Sequence, residues 1–177
     1  MSFTLFVDAD SLPLSQRSIL LKRIKKNSIT AFFVADRELE DVNKAIEEDT
    51  ADLRRPLRDT LSKSELRKIK SKISMIVVPS GKDSADNYIF DHIQEPALCI
   101  THDIPLSERV VSKGCIALDD RGNIIDKENA RERLSIRNAM YIIRESGYVS
   151  EKQKRINNRD IEAFANSLDK ILISYNL

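Results

Sequence analysis

Phe3-Thr4-Leu5-Phe6-Val7-Asp8-Ala9-Asp10 is a short apolar run, rich in aromatic and β-branched residues, that ends in two carboxylates. Such a composition suits a central strand of a parallel sheet, buried on both faces. Open α/β sheets bind ligands outside the carboxyl ends of their strands. Asp8 and Asp10 therefore stand where this kind of fold places its chemistry. Working outward, Ser11-Leu12-Pro13 suits a helix start, and Leu14, Ile19, Leu20, Leu21 and Ile24 mark a helix to about Lys26. Thr30-Ala31-Phe32-Phe33-Val34 is a second buried strand. Strand, helix and strand at this spacing make a right-handed, parallel βαβ unit.

The same grammar continues. Ser74–Val78, Ala97–Thr101 and Cys115–Leu118 read as strands, each bounded by turn or polar residues. Helices are expected from about Asp83 to Ile93, over Ile104–Ser112, from Glu128 to Glu145 with Gly147 as punctuation, and from about Arg159 to Tyr175. A polar link at 152–158 precedes the last of these. The expected architecture is one α/β domain with a central, mainly parallel sheet of about five strands flanked by helices. Between the second and third strands, composition changes. Residues 36–50 are dominated by acids and residues 51–72 by bases, in a charged, mostly helical insertion at about 37–72. Ser62-Lys63-Ser64-Glu65 has capping-box spacing. The two halves are expected to neutralise each other, and the alternative is a basic half that follows a phosphate backbone.

The 177 residues, 41% hydrophobic and 32% charged, fit a globular domain with a sizeable core. A net charge of +1 excludes a polycation, so any nucleic-acid contact needs a local patch. Cys99 and Cys115 sit inside apolar runs without metal-ligand spacing and read as core residues. No run approaches the ~20 apolar residues that span a bilayer, and nothing resembles a signal peptide. A cytoplasmic protein without membrane attachment is the expectation, and the sequence assigns no oligomeric state.

Acids recur at strand ends and helix starts: Asp8, Asp10, Asp83, Asp86, Asp103, Asp119 and Asp120. A parallel sheet brings several of them to one edge. Carboxylates gathered without basic partners resist ionisation, and a hard cation such as Mg²⁺ or Mn²⁺ relieves that penalty. All-carboxylate sites of this type hydrolyse phosphate esters. Two enzyme classes fit. Phe6-Val7-Asp8-Ala9-Asp10-Ser11-Leu12 resembles the nucleophile motif of haloacid-dehalogenase-like phosphatases, with Asp8 as nucleophile and Asp10 as acid/base. That reading leaves Asp83, Asp86 and Asp103 without a part. A PIN-like nuclease uses an Asp ending the first strand, an acid early in a later helix, and Thr/Ser-x-Asp after the next strand; Asp8, Asp86 and Thr101-His102-Asp103 match in that order. Ser11 and Thr101 are candidates to hold a water or a phosphate oxygen, and Arg121 and Arg137 to clamp phosphate. His92 and His102 are expected to be helix-surface or packing residues, with substrate contact the alternative for His102.

In more detail the chain resembles the YaiI/YqxD-like family of uncharacterised bacterial proteins, which are counted as PIN-like. The likeness is carried by Val7-Asp8-Ala9-Asp10 with Pro13, by Asp83-Ser84-Ala85-Asp86-Asn87, and by Ile100-Thr101-His102-Asp103-Ile104-Pro105-Leu106. Gly114, Arg121-Gly122, Leu134-Ser135-Ile136-Arg137, and Arg159-Asp160 with Phe164 extend it over nearly the whole chain. Leu12 stands where that family usually has Cys, Asp119-Asp120 where it has Asn/Asp-Pro, and the 37–72 insertion is longer. The resemblance implies a PIN-like three-layer fold and a metal site. The expected activity is Mg²⁺- or Mn²⁺-dependent hydrolysis of nucleic acid, RNA in preference to DNA. Asp8, Asp86 and Asp103 would be catalytic and would ligate the ion directly or through water. Asp10 and Asp83 would support them or hold a second ion. A non-catalytic nucleic-acid-binding or regulatory module on the same fold is the remaining alternative.

Overall fold

Strand β1 (Thr4–Asp8) pairs in parallel with β2 (Thr30–Ala35) on one side and β4 (Ala97–Ile100) on the other. It is the centre of a sheet ordered β3-β2-β1-β4-β5-β6, with β3 at Ile73–Val77, β5 at Ile116–Leu118 and β6 at Ile124–Ile125. The structure is a computed structural model that describes residues 3–145 and 155–177. The punctuation expected at Gly147 and the link at 152–154 lie outside the described residues. Among the described residues, five α-helices lie between strands, α1 (Leu14–Asn27), α2 (Glu40–Arg54), α3 (Lys63–Lys68), α4 (Ser84–His92) and α5 (Ile104–Ser112), and two follow β6, α6 (Ala130–Glu145) and α7 (Asn158–Ser174).

The expected α/β architecture is present, with one addition. A sixth strand, β6, pairs antiparallel with β5, so the sheet is mixed. Two residues carry too little periodicity to be read as a strand. Asp119 builds the turn before it, its carboxylate accepting from the N–H groups of Arg121 and Asn123 at 2.9 and 2.8 Å.

Strand alternation explains the layers. Leu5, Val7, Phe33 and Ile100 face α1, α2 and α7, whose Leu20, Ile24, Val42, Phe164 and Leu168 close that core. Phe6, Val34, Cys99 and Ala117 face the other way, against Ile89 of α4 and Leu106 and Val110 of α5. Both cysteines are buried and unpaired, and burial pushes the Cys99 thiol well up, as suits a core residue. The charged insertion begins as a crossover helix: Val42 and Ala45 of α2 are buried against the sheet. A capping box at Ser62 and Glu65 then starts α3. Among the described residues, no helix is long and apolar enough to cross a membrane.

Strand order reverses between β1 and β4, because the chain leaves β1 toward β2 and returns to its other side from β3. Helices diverge to opposite faces there and open a crevice beyond the strands' carboxyl ends. Asp8 ends one wall of this crevice, and Thr101-His102-Asp103 leads out of the other.

Candidate functional site: a carboxylate cluster at the sheet edge

Asp8 is 7% exposed, and Thr101, at 1%, lies beside it. The Thr101 hydroxyl donates to Asp8 Oδ2 at 2.9 Å and accepts from the Asp103 N–H at 3.0 Å. One side chain thus links the ends of β1 and β4. Asp103 is the N-cap of α5, its Oδ1 accepting from Leu106 N–H at 2.8 Å. Such caps fix a carboxylate at the positive end of a helix. Ser11 Oγ donates to the Asp8 carbonyl at 3.1 Å and steadies the turn after β1. Arg17 holds the same turn, donating to the carbonyls of Ala9 and Leu12 at 3.2 and 2.9 Å while pairing with both oxygens of Asp41.

Charge, more than direct contact, unites the acids. Asp86, in the first turn of α4, has its carboxyl pushed up to about 6. Burial is the main cause, and repulsion from Asp103, Asp8 and Asp83 adds to it. Only Arg109 opposes these effects. Asp8 is raised as well, first by burial, with Asp10 and Asp103 adding to the rise, while the hydroxyls of Ser11 and Thr101 pull it back. Asp8 thus feels Asp10 and Asp103, and Asp86 feels Asp8, Asp83 and Asp103. Their surroundings differ. Asp83 is exposed at the start of α4, in the left-handed conformation at φ 60°. Asp10 turns toward the end of β2, where Oδ2 accepts from Asp36 N–H at 2.8 Å and Oδ1 lies 3.2 Å from Arg37.

The remaining candidates divide in two. Thr101 and Arg121 are engaged within the chain, the latter with Asp160 at 3.2 Å. Ser11, half-buried at the crevice, is engaged as well, with the Asp8 carbonyl, whereas Arg137 is exposed on α6, with no ion pair among the described residues. His92 is exposed on α4, where Nδ1 meets the Tyr88 carbonyl and its ring stacks on Tyr88, as expected of a helix-surface residue. Sequence reasoning named His102 and Asp120 separately and missed their pairing on this edge. His102 Nδ1 lies 2.8 Å from Oδ1 of buried Asp120, whose carbonyl accepts from fully buried Gln16 at 2.8 Å. The Asp120 hydrogen bond raises the His102 pKa above its usual range. Arg109 was also missed. It reaches Asn87 Oδ1 at 3.0 Å and lies over the Phe90 ring, beside the acids of α4.

The chemistry of this donor set suits a hard divalent cation: carboxylate oxygens only, partly desolvated, with Arg109 acting on Asp86 and Arg37 on Asp10. As the side chains lie, no three His, Cys, Asp or Glu groups among the described residues are arranged to hold an ion. Asp103 uses one oxygen as a cap and Asp8 uses one for Thr101. No hydrogen bond among the described residues occupies Asp86.

A family model described as "Uncharacterized BCR, YaiI/YqxD family" matches residues 59–174. A "UPF0178 protein" of Sulfurimonas denitrificans is 34% identical over 168 residues, covering 95% of this chain and 94% of its own. One from Ectopseudomonas mendocina is 34% identical over 167 residues, covering 94% and 95%. A third, from Pseudomonas fluorescens Pf-5, is 47% identical over 100 residues, covering 56% of this chain and 66% of its own. No solved structure matches the chain.

Proposed function

The chain belongs to the YaiI/YqxD family of uncharacterised bacterial proteins, and from its carboxylate cluster we propose that it is a nuclease on a PIN-like fold. It hydrolyses phosphodiester bonds of nucleic acid, RNA in preference to DNA, with Mg²⁺ or Mn²⁺ held by Asp8, Asp86 and Asp103. The observation that carries this reading is the gathering of Asp103, Asp8 and Asp83 close enough to Asp86 to raise its carboxyl, at the point where strand order reverses. Acids in that position, with Arg109 the cation that opposes their effect on Asp86, favour a cation.

When bound, the ion supplies positive charge against the phosphoryl oxygens and makes a water nucleophilic at neutral pH. The chain does the positioning. Thr101 fixes Asp8 and the turn into α5, so two acids from different strands keep a set spacing. The cap at Leu106 prevents Asp103 from rotating away. Asp86 has no hydrogen-bonded anchor and can adjust toward the other two. Asp10 and Asp83 add negative charge at the rim, where they support the site or hold a second ion. Arg109 offers a guanidinium to a phosphate oxygen beside Asp86, and Ser11 and Arg137 are further contacts. The phosphatase reading assigns acid/base work to Asp10, whose oxygens already meet Asp36 and Arg37.

Metal-dependent cleavage of generic single-stranded RNA is the test. Asp8→Asn and Asp103→Asn are each expected to lower the rate about 100-fold or more, as loss of a charged group at such a centre does, and EDTA is expected to abolish it. Cleavage that persists in EDTA or in Asp8→Asn sinks the proposal.

A further inference from the structure

The expectation that the two halves of the 37–72 insertion neutralise each other fails in the structure. Acids of α2 find partners elsewhere. Asp41 pairs with Arg17, Glu48 and Asp52 lie at Lys25, and Asp52 also takes Arg55. Asp49 accepts from the Ser71 hydroxyl at 2.6 Å. Arg58, Lys63 and Arg67 are exposed, and among the described residues none of them has an ion-pair partner.

These three cations share a groove of about 510 Å³ between α2 and α3 with Arg54. Arg54 donates to the carbonyls of Ile69 and Arg67 at 3.0 and 3.4 Å, which fixes its position and leaves its charge in place. Glu47 is the one acid in the lining. The groove thus concentrates positive charge on a molecule of net charge +1. Lys63 and Arg67 are one helical turn apart, on one face of α3. Ile46 and Leu66 supply an apolar floor.

We propose that this groove binds the sugar–phosphate backbone of a single-stranded nucleic acid. Four cations against one acid select a polyanion, and a groove between two helices admits one chain. Its apolar floor accepts sugars, which a duplex surface presents less openly. No aromatic side chain lines it, so base stacking plays no part, and binding is salt-dependent and indifferent to sequence. The choice of nucleic acid over other polyanions rests on the nuclease reading. The groove is nevertheless separate from the acids: α2 runs from the carboxyl edge of the sheet back to the opposite edge, about 22 Å for its 15 residues. It holds the substrate chain at a distance from the point of cleavage.

The test is fluorescence anisotropy of labelled oligouridylate with the full chain, in EDTA so that no metal-dependent step intervenes. The parent is expected to bind. The triple variant Arg58→Gln, Lys63→Gln, Arg67→Gln is expected to bind at least about 10-fold more weakly, with the slope of log affinity against log salt reduced by about 2. A control with the same loss of charge, Lys22→Gln, Lys127→Gln, Lys170→Gln, is expected to retain most of the affinity. Single reversals R58E and K63E carry the same expectation should the triple variant unfold. Three results overturn the proposal: no binding by the parent, parental affinity in the groove variants, or competition by polyglutamate as strong as by unlabelled RNA, which would make the occupant an acidic polypeptide. Binding that follows these expectations in a protein that never cleaves RNA would retain the groove and remove the nuclease.

Discussion

Asp86 carries the clearest physical signature in the molecule. Its folded pKa of about 6 lies above the ordinary 3.8, so the native state holds this proton more tightly than the unfolded chain does. The stability linked to this proton is complete below about pH 4 and is lost as pH rises through about 6. Asp86→Asn removes the repulsion, so the variant should melt above the parent at pH 7.5 and level with it near pH 4. The displacement corresponds to about 3 kcal/mol, which solvent screening at a half-buried group reduces to about 1–2 kcal/mol. Thermal unfolding across that pH range checks it, and a variant less stable at pH 7.5 would contradict it. The positions of Asp8, Asp86 and Asp103 at a strand end and at helix starts were legible because each lies at a recognisable local signal, an apolar run or a helix start. Arg17, Arg109 and the Asp120–His102 pair were not. Their meaning depends on partners 18 to 24 residues away, or on neighbours brought in by the fold, and local periodicity carries no such information.

At the scale of elements, the close packing of α7 on the β5–β6 turn depends on Gly122. Its φ is +84°, and a Cβ there would lie 2.4 Å from the Ala163 main chain. Its carbonyl accepts from Ser167 Oγ at 2.7 Å, and neighbouring Arg121 pairs with Asp160 in the first turn of α7. Gly122→Ala should therefore cost about 3 kcal/mol, combining left-handed strain with displacement of the helix. Urea denaturation reads this, and a loss below about 0.5 kcal/mol, the range of surface substitutions, would contradict the account. The long helices and buried strands were readable from their periods. The insertion was readable as helical and charged, but its charge balance was not. Composition counts acids against bases, whereas the fold sends Asp41 and Glu48 to α1 and leaves Arg58, Lys63 and Arg67 on the far side.

Two charge clusters among the described residues lie apart along the strand direction. Acids gather at the carboxyl edge of the sheet, where strand order reverses, and uncompensated bases gather at the opposite end of α2. A parallel sheet makes this possible, since every strand end of one kind falls on one edge. The central claim is that the acidic edge receives a divalent cation. Anomalous diffraction from a crystal soaked in Mn²⁺ tests it most directly. The account predicts a peak bounded by the carboxylates of Asp8, Asp86 and Asp103, absent from crystals of Asp103→Asn. A fully soaked crystal with no peak there, or with manganese only at other acids, would contradict it.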